Sequence, residues 1–126
     1  MSYARMAIEA LRNSPVVKVR GSGNSMTPLI LSGEETTIIR ATPERVALLK
    51  PKRDVVLVSK YTHLLYSMSG KGDKVRCKVG NNHGRQNSGT FRIEGIVVLA
   101  EDRLLPIYRV LKGAGLLPEE LRSLDS

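Results

Sequence analysis

Between Lys74 and Val79 the residues alternate without exception, with Lys74, Arg76 and Lys78 on one side of an extended chain and Val75, Cys77 and Val79 on the other. A helix would scatter these charges around its circumference, so the stretch predicts a strand with one wet and one buried face. Cys77 is then a small core residue. Residues 16–20 share this half-buried alternation, and residues 36–39 are β-branched throughout. Residues 54–59, apolar at Val55, Val56, Leu57 and Val58, read as a strand buried on both faces. Residues 63–68 and 95–99 complete the set. Lys60-Tyr61-Thr62 is the expected hairpin tip, 69–73 a glycine-rich turn and 80–89, which has no apolar residue, an exposed loop. About six short strands with turn-rich links predict a compact, mainly β domain.

Helical patterning lies mainly at the flanks. Tyr3, Met6, Ala7, Ala10 and Leu11 fall on one helical face, with Ser2 as the expected N-cap and a stop near Asn13-Ser14-Pro15. Thr42-Pro43 opens a short helical turn that the basic bend Lys50-Pro51-Lys52-Arg53 closes. The C-terminal residues differ in kind: Leu104, Leu105, Ile107, Tyr108, Val110 and Leu111 form a crowded apolar surface interrupted at Pro106, with Leu116 and Leu117 beyond the break at Gly113-Ala114-Gly115. Pro118-Glu119-Glu120 starts a further turn with acids at its favourable end. The chain therefore divides into a β domain with an N-terminal helix, 1–102, and a helical tail, 103–126. Burying each tail side chain is worth up to about 1.5–3 kcal/mol. With part of the sheet face covered by the first helix, a second copy or a protein partner is the favoured sink for them.

Composition narrows the function classes. The 126 residues are 41% hydrophobic and 25% charged, as expected of one soluble domain. No apolar run approaches the roughly 20 residues of a membrane span, and the charges interleaved through the first residues do not resemble a secretory leader. A cytoplasmic protein that does not enter membranes is expected. One cysteine and two histidines leave no disulfide and no ligand cluster, so neither metal nor cofactor is expected. The net charge of +8 points to an acidic partner. Lys50, Lys52, Arg53, Lys74, Arg76 and Lys78 are the candidate polyanion contacts, although such charges equally suit a solvated face. Few aromatics and no tryptophan argue against a base-stacking platform, so only weak, non-specific nucleic-acid binding is expected.

The remaining feature is the bend Gly21-Ser22-Gly23-Asn24-Ser25-Met26-Thr27-Pro28. Glycines here permit positive φ and close backbone approach, an arrangement able to present the Ser25 hydroxyl beside backbone N–H groups. Glycine, serine, asparagine and proline also make ordinary surface turns. Taken together, Gly23-Asn24-Ser25-Met26-Thr27-Pro28 with Ser32-Gly33-Glu34, Asp54-Val55-Val56-Leu57-Val58, Gly80-Asn81-Asn82-His83-Gly84 and Ile93-Glu94-Gly95-Ile96-Val97 resemble, in order and spacing, the signal-peptidase and LexA-repressor superfamily of Ser/Lys peptidases. The likeness covers residues 16–99 and is greatest to the short stand-alone members carried by bacteriophages and prophages. It implies a LexA C-terminal-domain-like β fold, Ser25 as nucleophile, and Gly23, Asn24, Met26 and Pro28 as support for its loop and oxyanion site.

The family's base is an unprotonated lysine in a strand. Counting back from Asn81, that position holds Tyr66. A phenol ionises near about pH 10 and is a poor base at neutrality. Lys60 is too far along the strand to substitute, Lys71 and Lys74 lie beyond the next turn, and His63 is expected on the opposite face, at a surface or edge. The resemblance therefore implies a catalytically impaired phage-type protein, in a bacterial host or with the phage, that acts by binding a host or defence factor or a phage component. Alternatives are a residual or self-cleaving Ser25 peptidase, with Ala114-Gly115 as the site, and a non-specific nucleic-acid binder.

Overall fold

The computed structural model describes residues 3–20, 30, 33–59 and 62–124. Eight strands among them are β1 (Val16–Arg20), β2 (Glu35–Arg40), β3 (Val55–Leu57), β4 (Thr62–Ser69), β5 (Arg76–Gly80), β6 (Phe91–Arg92), β7 (Gly95–Ala100) and β8 (Arg103–Leu104). The helices are α1 (Tyr3–Leu11), α2 (Pro43–Val46) and α3 (Pro106–Gly113). Every strand pairing is antiparallel, in the order β1-β2-β7-β3-β4-β5-β6, with β8 added beside β7. The sheet curls into a half-barrel, and the protein is mainly β as its residue patterns predict.

Burial follows position in this order. Central β7 has neighbours on both edges and is buried at all its positions, which is why Ile96-Val97-Val98-Leu99 shows no polar alternation. Strand β5, near one end, keeps its alternation: Arg76 and Lys78 are exposed, Cys77 and Val79 buried. Lys74 instead ends a 3-10 turn, Gly72–Lys74, ahead of the strand.

Helix α1 occupies the predicted span with a rotated inner face. Ala4, Ala7 and Leu11 are buried, whereas Met6 is 57% exposed. The two alanines permit close approach, and the absent side chain of Gly95 makes room below. A Cβ there would stand 2.7 Å from Ile38 Cγ2 and 3.1 Å from Leu11 Cδ1. Arg40 Nε donates to the Leu11 carbonyl and satisfies one of the helix's terminal acceptors. In α2, Pro43 takes the first turn and the Thr42 hydroxyl accepts from the Arg45 N–H at 3.4 Å.

The tail overturns the expectation of an outside sink. Pro106 does not interrupt a helix but begins α3, where a missing N–H has no cost. Leu105, Ile107, Tyr108, Leu111, Leu117 and Leu121 are buried within the chain and join one core cluster with the sheet residues. The Tyr108 hydroxyl donates to the Leu121 carbonyl and accepts from the Leu124 N–H at 3.2 Å, tying the chain's last described turn to α3. Of the tail's large apolar residues, Val110 and Leu124 remain exposed among those described.

Candidate functional site

Ser25, with Gly23, Asn24, Met26 and Pro28, lies outside the described residues; the residues on either side of that segment form a network. At the end of β1, Arg20 Nη1 donates to the Gly33 carbonyl at 2.7 Å and to Glu101 Oε1 at 3.0 Å. The Glu35 N–H donates to the same carboxylate oxygen at 2.9 Å, and Arg103 Nη2 to Glu34 Oε1 at 2.6 Å. The Glu35 N–H, and then Arg20, hold the Glu101 carboxyl below its ordinary range. Glu101 adopts φ of 53° in the turn between β7 and β8, an uncommon conformation for a residue with a side chain. The place where the chain leaves β1 is thereby pinned to the place where it returns to β2.

Tyr66 sits in β4 where the pairing with β5 shifts register between Leu65 and Ser67. Its hydroxyl donates to the Asn81 carbonyl at 2.7 Å. Lys52 Nζ stands 3.2 Å from the ring centroid, a cation–π contact. The Lys52 backbone reaches that place at φ of 66°, with its N–H on the Leu65 carbonyl at 2.7 Å. Behind the ring, Gly80 allows the 81–89 loop to close. A Cβ on Gly80 would stand 2.4 Å from the Arg85 carbonyl oxygen and 2.8 Å from Tyr66 Cζ. The phenol is therefore a donor engaged by a carbonyl, with Lys52 on its face.

His63 is not the surface or edge residue expected. It is 8% exposed, paired with Val56 on an interior strand. The register places it at the end of a row running Val16, Ile39, Ile96, Val56, His63 across five strands. Burial pushes its pKa below the ordinary imidazole value, against a smaller upward effect of a hydrogen bond to the Gly80 backbone. A buried imidazole kept neutral is a chemically competent proton acceptor. The apolar run Val55 to Val58 and the following Leu64-Leu65 carried the signal: a histidine between such strands is more readily interior than an isolated pattern of alternation suggests.

The candidate basic contacts separate into two groups. Arg53 is engaged by the buried Asp54 carboxylate, at 2.8 Å to Oδ1 and 2.9 Å to Oδ2, and that carboxylate also accepts the Lys50 N–H at 2.6 Å. With Lys52 over Tyr66, the 50–53 bend is largely structural. Lys74, Arg76 and Lys78 are exposed as predicted. Arg76 lies opposite Arg92 of β6 and donates to the Thr90 carbonyl at 3.0 Å. Among the described residues no three His, Cys, Asp or Glu side chains group as a metal site, and no helix is long and apolar enough to cross a membrane. Compared with protein-family models, curated proteins and solved structures, the chain matches none.

Proposed function

We propose that this chain is a binding protein built on the Ser/Lys peptidase plan, impaired as a peptidase because Tyr66 stands where the family resemblance expects the lysine base. One observation carries the reading: the Tyr66 hydroxyl donates a hydrogen bond to the Asn81 carbonyl. A group so engaged does not take a proton from a serine, and loss of a positioned base forfeits about a hundredfold to ten-thousandfold in rate. Its partner is a protein, met in the cytoplasm of a bacterial host.

A second reading is favoured by His63, a buried imidazole held neutral and so able to accept a proton. One experiment separates the two. Wild type, Ser25→Ala, His63→Gln and Tyr66→Lys are treated with a serine-directed covalent probe, and the adducts are located by mass spectrometry, with circular dichroism as the folding control. The binding reading expects no Ser25 adduct in wild type and a gain in Tyr66→Lys. A wild-type adduct at Ser25 that disappears in folded His63→Gln would replace it with a Ser25–His63 peptidase.

A further inference from the structure

Three arginines from separate parts of the chain converge on one hollow. Arg12 follows α1, Arg40 ends β2 and Arg92 ends β6; between them lie Leu11, Ala41 and Ile93. The hollow measures about 390 Å³, within the range of sites that hold ligands. A second hollow of about 70 Å³ shares the walls Ala41, Arg92 and Ile93 and continues toward Pro43 and Val75. Leu11 and Ile93, which are 3% and 6% exposed, close the floor of the larger hollow and leave little apolar surface open.

Its charge is poorly balanced from within. Neither Arg12 nor Arg40 forms an ion pair among the described residues, and Arg92 meets only Glu94, at 3.5 Å. Arg45 lies beside Arg40, donating to its carbonyl at 2.9 Å, and adds further positive potential. Arg45 itself is satisfied by that carbonyl and by the Leu116 carbonyl at 2.7 Å. Arg40 engages its Nε with Leu11, which orients the guanidinium without neutralising it. Clustered cations are complementary to closely spaced carboxylates.

We infer that this groove is a docking site for an acidic peptide segment of a partner protein, with Arg12, Arg40 and Arg92 taking its carboxylates. Three arginines brought together from separate parts of the chain suit several carboxylates spaced along a peptide better than one small dicarboxylate. Glu94 lines the same groove and already occupies Arg92, so it acts as an internal competitor. The inference rests on the binding reading above and gives that reading a surface and a partner chemistry.

The test is selection of a random dodecapeptide library against the full chain, then fluorescence anisotropy with the most enriched peptide. Selected peptides are expected to be rich in Asp and Glu. Affinity should fall at least tenfold in the double variant Arg12→Glu, Arg92→Glu, rise about threefold in Glu94→Gln, and vanish when the peptide's acids become amides. No enrichment of acidic peptides, equal binding by the charge-reversed protein, or tolerance of the amide peptide would each overturn the inference. A 16-bp DNA duplex that bound more tightly than the peptide and lost affinity in the same variant would reassign the groove to nucleic acid. A dimer in light scattering that the charge reversal dissociated would reassign it to a second copy. The Ser25 adduct experiment is independent: peptide binding together with a wild-type adduct would keep the groove and reject the impaired-peptidase reading.

Discussion

At the scale of residues, the physics is concentrated in two buried titratable groups of the β4–β5 region, His63 and Cys77. His63 is held neutral by burial. Its pKa in the folded chain lies below the unfolded value of about 6.5, so the unfolded state binds the extra proton as pH falls. Stability is therefore full above about pH 6.5 and declines as pH drops below it, until the folded state is also protonated. Thermal denaturation between about pH 7.5 and 5 should show this decline, and His63→Gln should flatten that part of the curve. A parallel decline in the variant would assign the effect to other groups. Cys77 obeys the same logic with opposite chemistry: burial raises its thiol to about 11, only partly offset by Arg76. The thiolate is the reactive form, so a thiol reagent at about pH 8 should label Cys77 slowly in the native protein and rapidly in denaturant. Fast native labelling would place the side chain outside the core.

At the scale of elements, legibility followed length and regularity. The alternation in β5 was readable because each Lys or Arg marks solvent and each Val or Cys marks the core. Strands β6 and β8 were not, since two residues carry no period. The face of α1 was misjudged because methionine outranks alanine in apolarity, whereas Ala4, Ala7 and Leu11 are buried and Leu11 takes the space that Gly95 leaves open. Pro106 was read as an interruption when it stands at a helix start. The 80–89 loop was rightly exposed for most of its length, but its root is tight. Gly80 is buried, bridges Gln86 and carries Tyr66 against it. Gly80→Ala should thus destabilise the protein by about 1–3 kcal/mol through overpacking, with the unfolding midpoint in urea as the measurement. An unchanged midpoint would show that the loop can shift aside at little cost.

At the scale of the molecule, the candidate site was legible as residue types in order, and only in part as an arrangement. Ser25 and its neighbours are outside the described residues, the engagement of Tyr66 with Asn81 depends on a register shift no pattern announces, and the arginine groove joins positions up to 80 residues apart. The tail shows the same limit from the other side. Its apolar residues correctly demanded burial, but which surface would bury them was a question of topology, answered by β8 pairing with β7 and by α3 joining the common core. Removing residues 103–126 would expose the surfaces that Ile107, Tyr108 and Leu111 cover, all at most 1% exposed. It would also remove the Arg103–Glu34 pair beside the Ser25 segment. The truncated chain should consequently be unfolded or much less stable, while the full chain is monomeric by light scattering. Because a collapsed truncation says little about mechanism, Leu111→Ala is the graded companion: a buried leucine reduced to alanine should cost about 2–5 kcal/mol while leaving the mass unchanged. A full chain that dimerised, together with a truncation that stayed folded and monomeric, would show that the tail serves assembly and is dispensable to the core.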